Sequence, residues 1–317
     1  MNMEHTVSAE QSGQRLDRFL VEVTPGLSRA RARAMLDAGQ VRVDGRRVRK
    51  GEALVEGARV EVSGDVPPQD FTPVAEGADT LVVRLEDAHV VVVDKAAGVA
   101  THPLRPDETG TLANALVARY PEMAAVGFHK REPGLLHRLD TDTSGLVLAA
   151  RTPEAFEALR AASSSDRLEK RYLALVEGRL AGEGVVELPL VPHRKDPKRV
   201  EVVTEHVRLR AAVKPHPALT RWRVARALGE YTLVEASVTR AFRHQVRAHL
   251  ASIGHPLVGD ALYRGPALPD DVAQGFTRHG LHASEIHFPH PLTGAETRVV
   301  SPLPADFAAV IHRLRDA

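Results

Sequence analysis

Apolar residues recur along this chain with two different periods, and the switches between them mark out its elements. Over 15–23, Leu16, Phe19, Leu20 and Val23 keep helical spacing until Thr24-Pro25-Gly26 interrupts it. Ser28 can cap a second helix over 29–37, with Met35 and Leu36 on its inner side and Gly39 stopping it. The period then drops to two. Val41-Arg42-Val43 alternates, Asp44-Gly45 turns, Val48 begins a return, and Val60 to Val62 closes a small sheet. Beyond Ser63 the pattern lapses into Gly64, Pro67-Pro68, Pro73 and Gly77. Residues 64–79 therefore read as an extended, mobile linker between a module at 1–63 and a larger domain at 80–317.

In that larger domain, strands are expected at 81–83, 90–93, 146–149, 171–176, 231–238 and 285–288. Helical spacing is found over 112–120 and over 153–162, the latter with Thr152 as its cap. Helices and strands mix without steady alternation, so an α+β domain around a mostly antiparallel sheet fits better than a doubly wound one.

The length of 317 residues accommodates both domains, and the absence of cysteine removes disulfides, thiolate nucleophiles and Cys-rich zinc sites. The opening Met1-Asn2-Met3-Glu4-His5 is no secretory signal, and no apolar run approaches membrane-spanning length. A soluble cytoplasmic protein is expected. The net charge of +1 says little about nucleic acid, but its distribution says more. Arg29, Arg31, Arg33, Arg42, Arg46, Arg47, Arg49 and Lys50 crowd into one short stretch against only Asp37 and Asp44. A helix face carrying Arg29, Arg31 and Arg33 can meet phosphate oxygens, although charge runs are more often simply solvated faces. The stretch His193-Arg194-Lys195 with Lys198-Arg199 reads the same way.

The densest polar knot is His137-Arg138-Leu139-Asp140-Thr141-Asp142-Thr143-Ser144-Gly145, set between Leu135-Leu136 and the apolar run from Leu146. Turn chemistry alone explains much of it. A carboxylate carried into such a setting is also a candidate for chemistry, because buried charge is costly unless paired.

The string His137-Arg138-Leu139-Asp140 followed by Thr143-Ser144-Gly145-Leu146 resembles the signature of RluA-type pseudouridine synthases. Further segments are similar to that family: Lys170-Arg171-Tyr172, His244-Gln245-Val246-Arg247, Gly259-Asp260 and His290-Pro291-Leu292-Thr293-Gly294. Around Arg15-Leu16-Asp17, Ser28-Arg29 and Val43-Asp44-Gly45 the amino-terminal module resembles the alpha-L RNA-binding domain shared with a small-subunit ribosomal protein. The resemblance implies that Asp140 is the catalytic carboxylate, Tyr172 the ring that stacks on the base, and Arg247 the partner that fixes Asp140. It further implies substrate or RNA contacts from His137, Arg138, Lys170, His244 and Gln245. Asp140 would either attack covalently or abstract a proton, and both remain open.

The chain departs from the family at Arg240-Ala241-Phe242-Arg243, where Thr-Gly-Arg-Thr is common. That departure leaves room for a rival reading, a non-catalytic RNA-binding or ribosome-assembly protein on a degenerate synthase fold. A second rival, a glycosidase-like hydrolase, needs another carboxylate. No zinc-type histidine spacing and no glycine-rich nucleotide loop occurs, so neither a metal nor a cofactor is expected. The expected partner is RNA, ribosomal or transfer, with no membrane contact and no second subunit demanded; a monomer is expected.

Overall fold

The structure, a computed structural model, describes residues 3–24, 27, 29–48, 52–63, 71–208, 214–273 and 276–316. Two compact units divide the chain: Met1–Pro73 with Leu104–Glu108, and Val74–Pro103 with Thr109–Ala317.

In the first unit, strand β1 (Met3–Thr6) precedes helices α1 (Leu16–Val23) and α2 (Arg29–Asp37), then strands β2 (Val41–Val43), β3 (Arg46–Arg47) and β4 (Arg59–Val62). The helical spacing works as expected. Leu16, Phe19 and Leu20 are fully buried and pack with Met35, Leu36, Val60 and Val62. The four strands are antiparallel in the order β1-β4-β2-β3. Asp44 and Gly45 both have positive φ, 50° and 75°, as the tightest hairpin turns require. The return strand lies at Arg46–Arg47, so it begins before Val48. The proposed cap Ser28, the side chain of Arg29, and residues 49–51 and 64–70 lie outside the described residues.

The second unit is built on strands β5 (Val82–Glu86), β6 (Val90–Lys95), β7 (Ser144–Ala150), β8 (Glu169–Glu177) and β9 (Glu183–Glu187). They are followed by β10 (Leu190–Pro192), β11 (Val200–Val202), β12 (Leu219–Leu228), β13 (Tyr231–Val238), β14 (Leu281–Pro289) and β15 (Glu296–Val300). Its helices are α3 (Leu112–Arg119), α4 (Pro153–Ser164), α5 (Glu205–Arg208), α6 (Gln245–Ser252), α7 (Asp270–Ala273) and α8 (Ala305–Asp316). Nine strands form one sheet in the order β5-β6-β7-β14-β8-β13-β12-β9, with β15 also on β14. Among the described residues only β7 and β14 pair in parallel, so the sheet is largely antiparallel and the class is α+β. Val90 to Val93 form an unbroken apolar run because helices cover both faces. Val91 and Val93 pack toward α3, whereas Val90 and Val92 pack toward α4. Thr152 caps α4 by accepting from the Ala155 amide.

Residues 74–79 of the expected linker are tied into this unit. The Asn114 amide donates to Val74 O, and Glu76 N donates to Asn114 O.

Candidate active site

Asp140 lies on the irregular segment that enters β7, and the backbone of that segment is held from three directions. The Thr101 hydroxyl donates to Leu139 O at 2.7 Å and accepts from Leu139 N at 3.1 Å. The Lys95 ammonium, at the end of β6, donates to Ala96 O, Val99 O and Thr141 O at 2.7–2.9 Å. All three of its protons are thereby taken. The Arg278 guanidinium reaches Asp142 O, and Gly98 N donates to Thr141 O. Gly145 completes the entry with φ 112°, where a Cβ would lie 2.2 Å from Ala283 O on β14. Any side chain there would push β7 off its parallel partner.

The Asp140 side chain, 19% exposed, accepts from Arg247 Nη1 at 2.7 Å. Arg247 stands on α6, and its fork is bidentate, but toward Asp260 rather than Asp140: Nε and Nη2 meet Asp260 Oδ2 and Oδ1 at 2.6 and 2.9 Å. The contact with Asp140 is therefore one arm of a three-residue arrangement. Asp260, 1% exposed, is aimed in turn by the amides of Leu262 and Tyr263. A single guanidinium thus bridges a locked carboxylate and a partly open one.

Burial alone would raise the Asp140 carboxyl, but the facing His244 and Arg247, with the Arg247 hydrogen bond, more than offset it. The carboxyl sits below its ordinary range and is ionised at neutral pH. Burial pushes His244 down to about 4, against the pull of Asp140, so this imidazole is neutral. His244 Nε2 lies 3.6 Å from Asp140 Oδ1, and its Nδ1 lies 3.2 Å from the Tyr263 hydroxyl. The residue adopts a left-handed backbone (φ 56°), which turns the ring into the site at the start of α6.

Tyr172, on β8 and nearly buried, shares a cleft of about 280 Å³ with Asp140, His137, Arg138, Lys170, His244 and Arg247. Burial, aided by the negative charge of Asp140, raises the Tyr172 phenol far above its usual value and keeps it protonated. Arg138 is exposed and makes no ion pair among the described residues. Gln245 also lines this cleft. Its oxygen accepts from Phe242 N and its nitrogen donates to Leu219 O and Thr220 Oγ1, so it braces the loop that precedes α6. The altered segment is similarly anchored: Arg240 pairs with Asp166, and Arg243 donates to the carbonyls of Pro197 and Arg199.

In the first unit, Arg33 meets the buried Asp17 at 3.4 Å while remaining 48% exposed, and Arg31 is exposed on the same helix. Asp260 lies in one of the family-like segments, but no pattern along the chain singles out Lys95, Thr101 or His279. His279 bonds to Thr143 Oγ1 at 2.7 Å, and burial takes it down to about 4.

A family profile described as "RNA pseudouridylate synthase" matches residues 89–252, which carry Asp140, Tyr172 and Arg247. The chain belongs to the RNA pseudouridylate synthase family. It is accordingly an RNA pseudouridine synthase, and an S4 domain matches at residues 14–60. It is 37% identical over 312 residues to an "Uncharacterized RNA pseudouridine synthase" of Chloroflexus aurantiacus, covering 98% of this chain and 93% of that one. It is 35% identical to "Ribosomal large subunit pseudouridine synthase D" of Xanthomonas campestris, covering 96% and 90%. The solved structure of "Human RNA Pseudouridylate Synthase Domain Containing 4" shares the fold, with a TM-score of 0.57 at 23% identity over 75% of this chain and 95% of that one. No helix among the described residues is long and apolar enough to cross a membrane.

Proposed function

We propose that this synthase isomerises uridines in structured RNA, large-subunit ribosomal RNA in the first place and transfer RNA in the second. In this reading Asp140 is the catalytic carboxylate, Tyr172 stacks on the uracil, and Arg247 holds Asp140 ionised and aimed. Residues 1–63 bind RNA, 64–79 connect, and 80–317 carry the chemistry. The relatives named for the large ribosomal subunit support the choice of RNA. The cleft draws Asp140, Tyr172 and Arg247 from one chain, which suits a monomer, and we place its action in the cytoplasm, where ribosomal RNA is met.

The observation that carries the reading is the guanidinium bridge between Asp140 and Asp260. Isomerisation needs one ionised carboxylate facing the sugar, not a pair that activates water. Asp260 cannot serve as the second carboxylate of a hydrolase, because both its oxygens are occupied by Arg247 and backbone amides in a buried setting. Tyr172 stays neutral, so it can cover the base without repelling negative charge that develops on it. The target nucleotide must leave its stack to reach the cleft, and Arg138, exposed beside Asp140 with no ion pair among the described residues, is placed to meet a phosphate or fill the vacated space.

Ribosomal RNA transcripts labelled with tritium at uracil carbon 5 test this directly. The wild type should release tritium, and Asp140→Asn should lower the rate by on the order of 10⁴-fold. Free uracil as product, or a rate within about tenfold of wild type in the variant, would overturn the assignment.

A further inference from the structure

Three buried cations surround the cleft, and two of them are matched. Arg247 has two carboxylates and Lys95 has three carbonyl oxygens. The third is Lys170, 4% exposed, and no carboxylate or hydrogen-bond acceptor meets its ammonium among the described residues. It stands on β8 two residues before Tyr172, so the two side chains project to the same face and line the same cleft as Asp140. Its ladder neighbour on β13 is the apolar Val238. Burial lowers the ammonium to about 8, which leaves it mostly charged at neutral pH.

The adjoining His137 has the same shortage. Its Nε2 accepts from Leu148 N, which places the ring proton on Nδ1, and Nδ1 is buried with no acceptor. Burial and the charge of Lys170 keep this ring neutral. An unpaired ammonium beside an unpaired N–H donor forms a corner rich in donors that lacks only an acceptor.

We propose that Lys170 takes up the negative charge of the detached uracil by meeting a ring carbonyl, an inference that rests on the placement of the base against Asp140 and Tyr172. When the bond from N1 to the ribose breaks, its electron pair stays on the ring and spreads over N1 and both carbonyl oxygens. The electron-poor sugar carbon is left facing Asp140. Carbon 5 then supplies the pair for the new bond, its proton leaves, and N1 gains one, so the reaction balances without a co-reactant. Between these steps the ring turns about the axis through N3 and carbon 6. That turn exchanges N1 with carbon 5 and also exchanges the two carbonyl oxygens. A cation fixed at one carbonyl position is therefore met by an oxygen in both orientations. Lys170 can grip the ring before and after it turns, while Tyr172 gives it a flat surface to turn on.

The test compares Lys170→Met, which keeps length and loses charge, with Lys170→Arg, on large-subunit ribosomal RNA transcripts made with uridine or with 5-fluorouridine. Fluorine withdraws electrons, so the fluorinated ring needs less help to leave as an anion. Single-turnover cleavage of the uridine transcript should slow by about 10²–10³-fold in Lys170→Met with RNA affinity nearly unchanged. The deficit should shrink by about tenfold or more on the fluorinated transcript, and Lys170→Arg should recover much of the rate. Melting curves check folding, and Lys170→Gln provides a second neutral variant. An equal deficit on both transcripts, or a loss confined to RNA affinity, would overturn the inference. A wild type inactive on both would instead overturn the assignment beneath it.

Discussion

Charge is handled in opposite ways in the amino-terminal unit and in the cleft around Asp140. In the first, Arg15 and Arg33 flank the buried Asp17 but remain about half exposed, and Arg31 is exposed on the same short helix. Water competes for every such contact, so each contributes little alone, and the face acts through its summed field. In the cleft, Asp140, Arg247, Asp260, Lys95 and Lys170 are removed from water to different degrees, and four of the five have fixed partners. The first arrangement tolerates loss and serves attraction. The second tolerates almost none and serves aim. In the proposed reading, RNA capture and base chemistry make different demands on the same kinds of side chain.

The sharpest way to break this contrast is Asp260→Ala. Removing it leaves a buried guanidinium with only Asp140, and denaturant unfolding should show a loss of about 3–5 kcal/mol together with a collapse of turnover. A loss below about 1 kcal/mol would place Asp260 with the surface pairs.

Lys170→Met tests the one unmatched charge. The folded lysine titrates near 8 and an unfolded one near its usual 10.5, so the folded state disfavours the ammonium. That cost is complete below pH 8 and disappears as pH rises to 10.5. The variant should therefore be more stable than wild type by about 3 kcal/mol at pH 7, with the gap closing by pH 10.5. A constant gap in unfolding curves taken across that range would show that burial of the charge is not its origin.

Thr101→Val probes the loop's backbone support. Two groups on Leu139 lose their partner at once, for a cost of about 1–3 kcal/mol and slower turnover. The smallest effect belongs to Arg33→Ala. Turnover on saturating RNA should be unchanged, affinity should weaken a few-fold, and the slope of log affinity against log salt should drop by about one. A change in turnover there would erase the division between the two regions.

Much of this was legible along the chain. Period and turn signals located α1, α2, β2 and most strands of the large sheet, because those segments bury one apolar face, or both in β6 and β7, and punctuate their ends with Gly, Pro or Asp. Strand β12 was missed because the alternation of Arg221 and Arg223 with Trp222 and Val224 is short and breaks at the bulge between Val224 and Arg226. Helix α6 was missed for a different reason: Gln245, Arg247 and His249 are polar yet buried, so no apolar stripe declares the helix. Within the site, the convergence of Asp140, Tyr172 and Arg247 followed from family-like segments. The supports did not. Lys95 and Thr101 act on backbone carbonyls and amides, which every residue possesses and no sequence distinguishes. The double engagement of Arg247 depends on a loop folding back thirteen residues later to deliver Asp260.

The Lys95 clasp has a consequence for the conditions under which the enzyme works. Three converging carbonyl oxygens are what a dissolved monovalent cation would otherwise be recruited to bind. Here the ion is covalently tethered, always present at full occupancy and indifferent to which salts surround the protein. In the proposed reading, rising ionic strength strips RNA from the arginine-bearing surface long before it disturbs the segment that carries Asp140. Such an enzyme would lose its grip on substrate while the cleft stays assembled, and would regain activity once the salt is diluted.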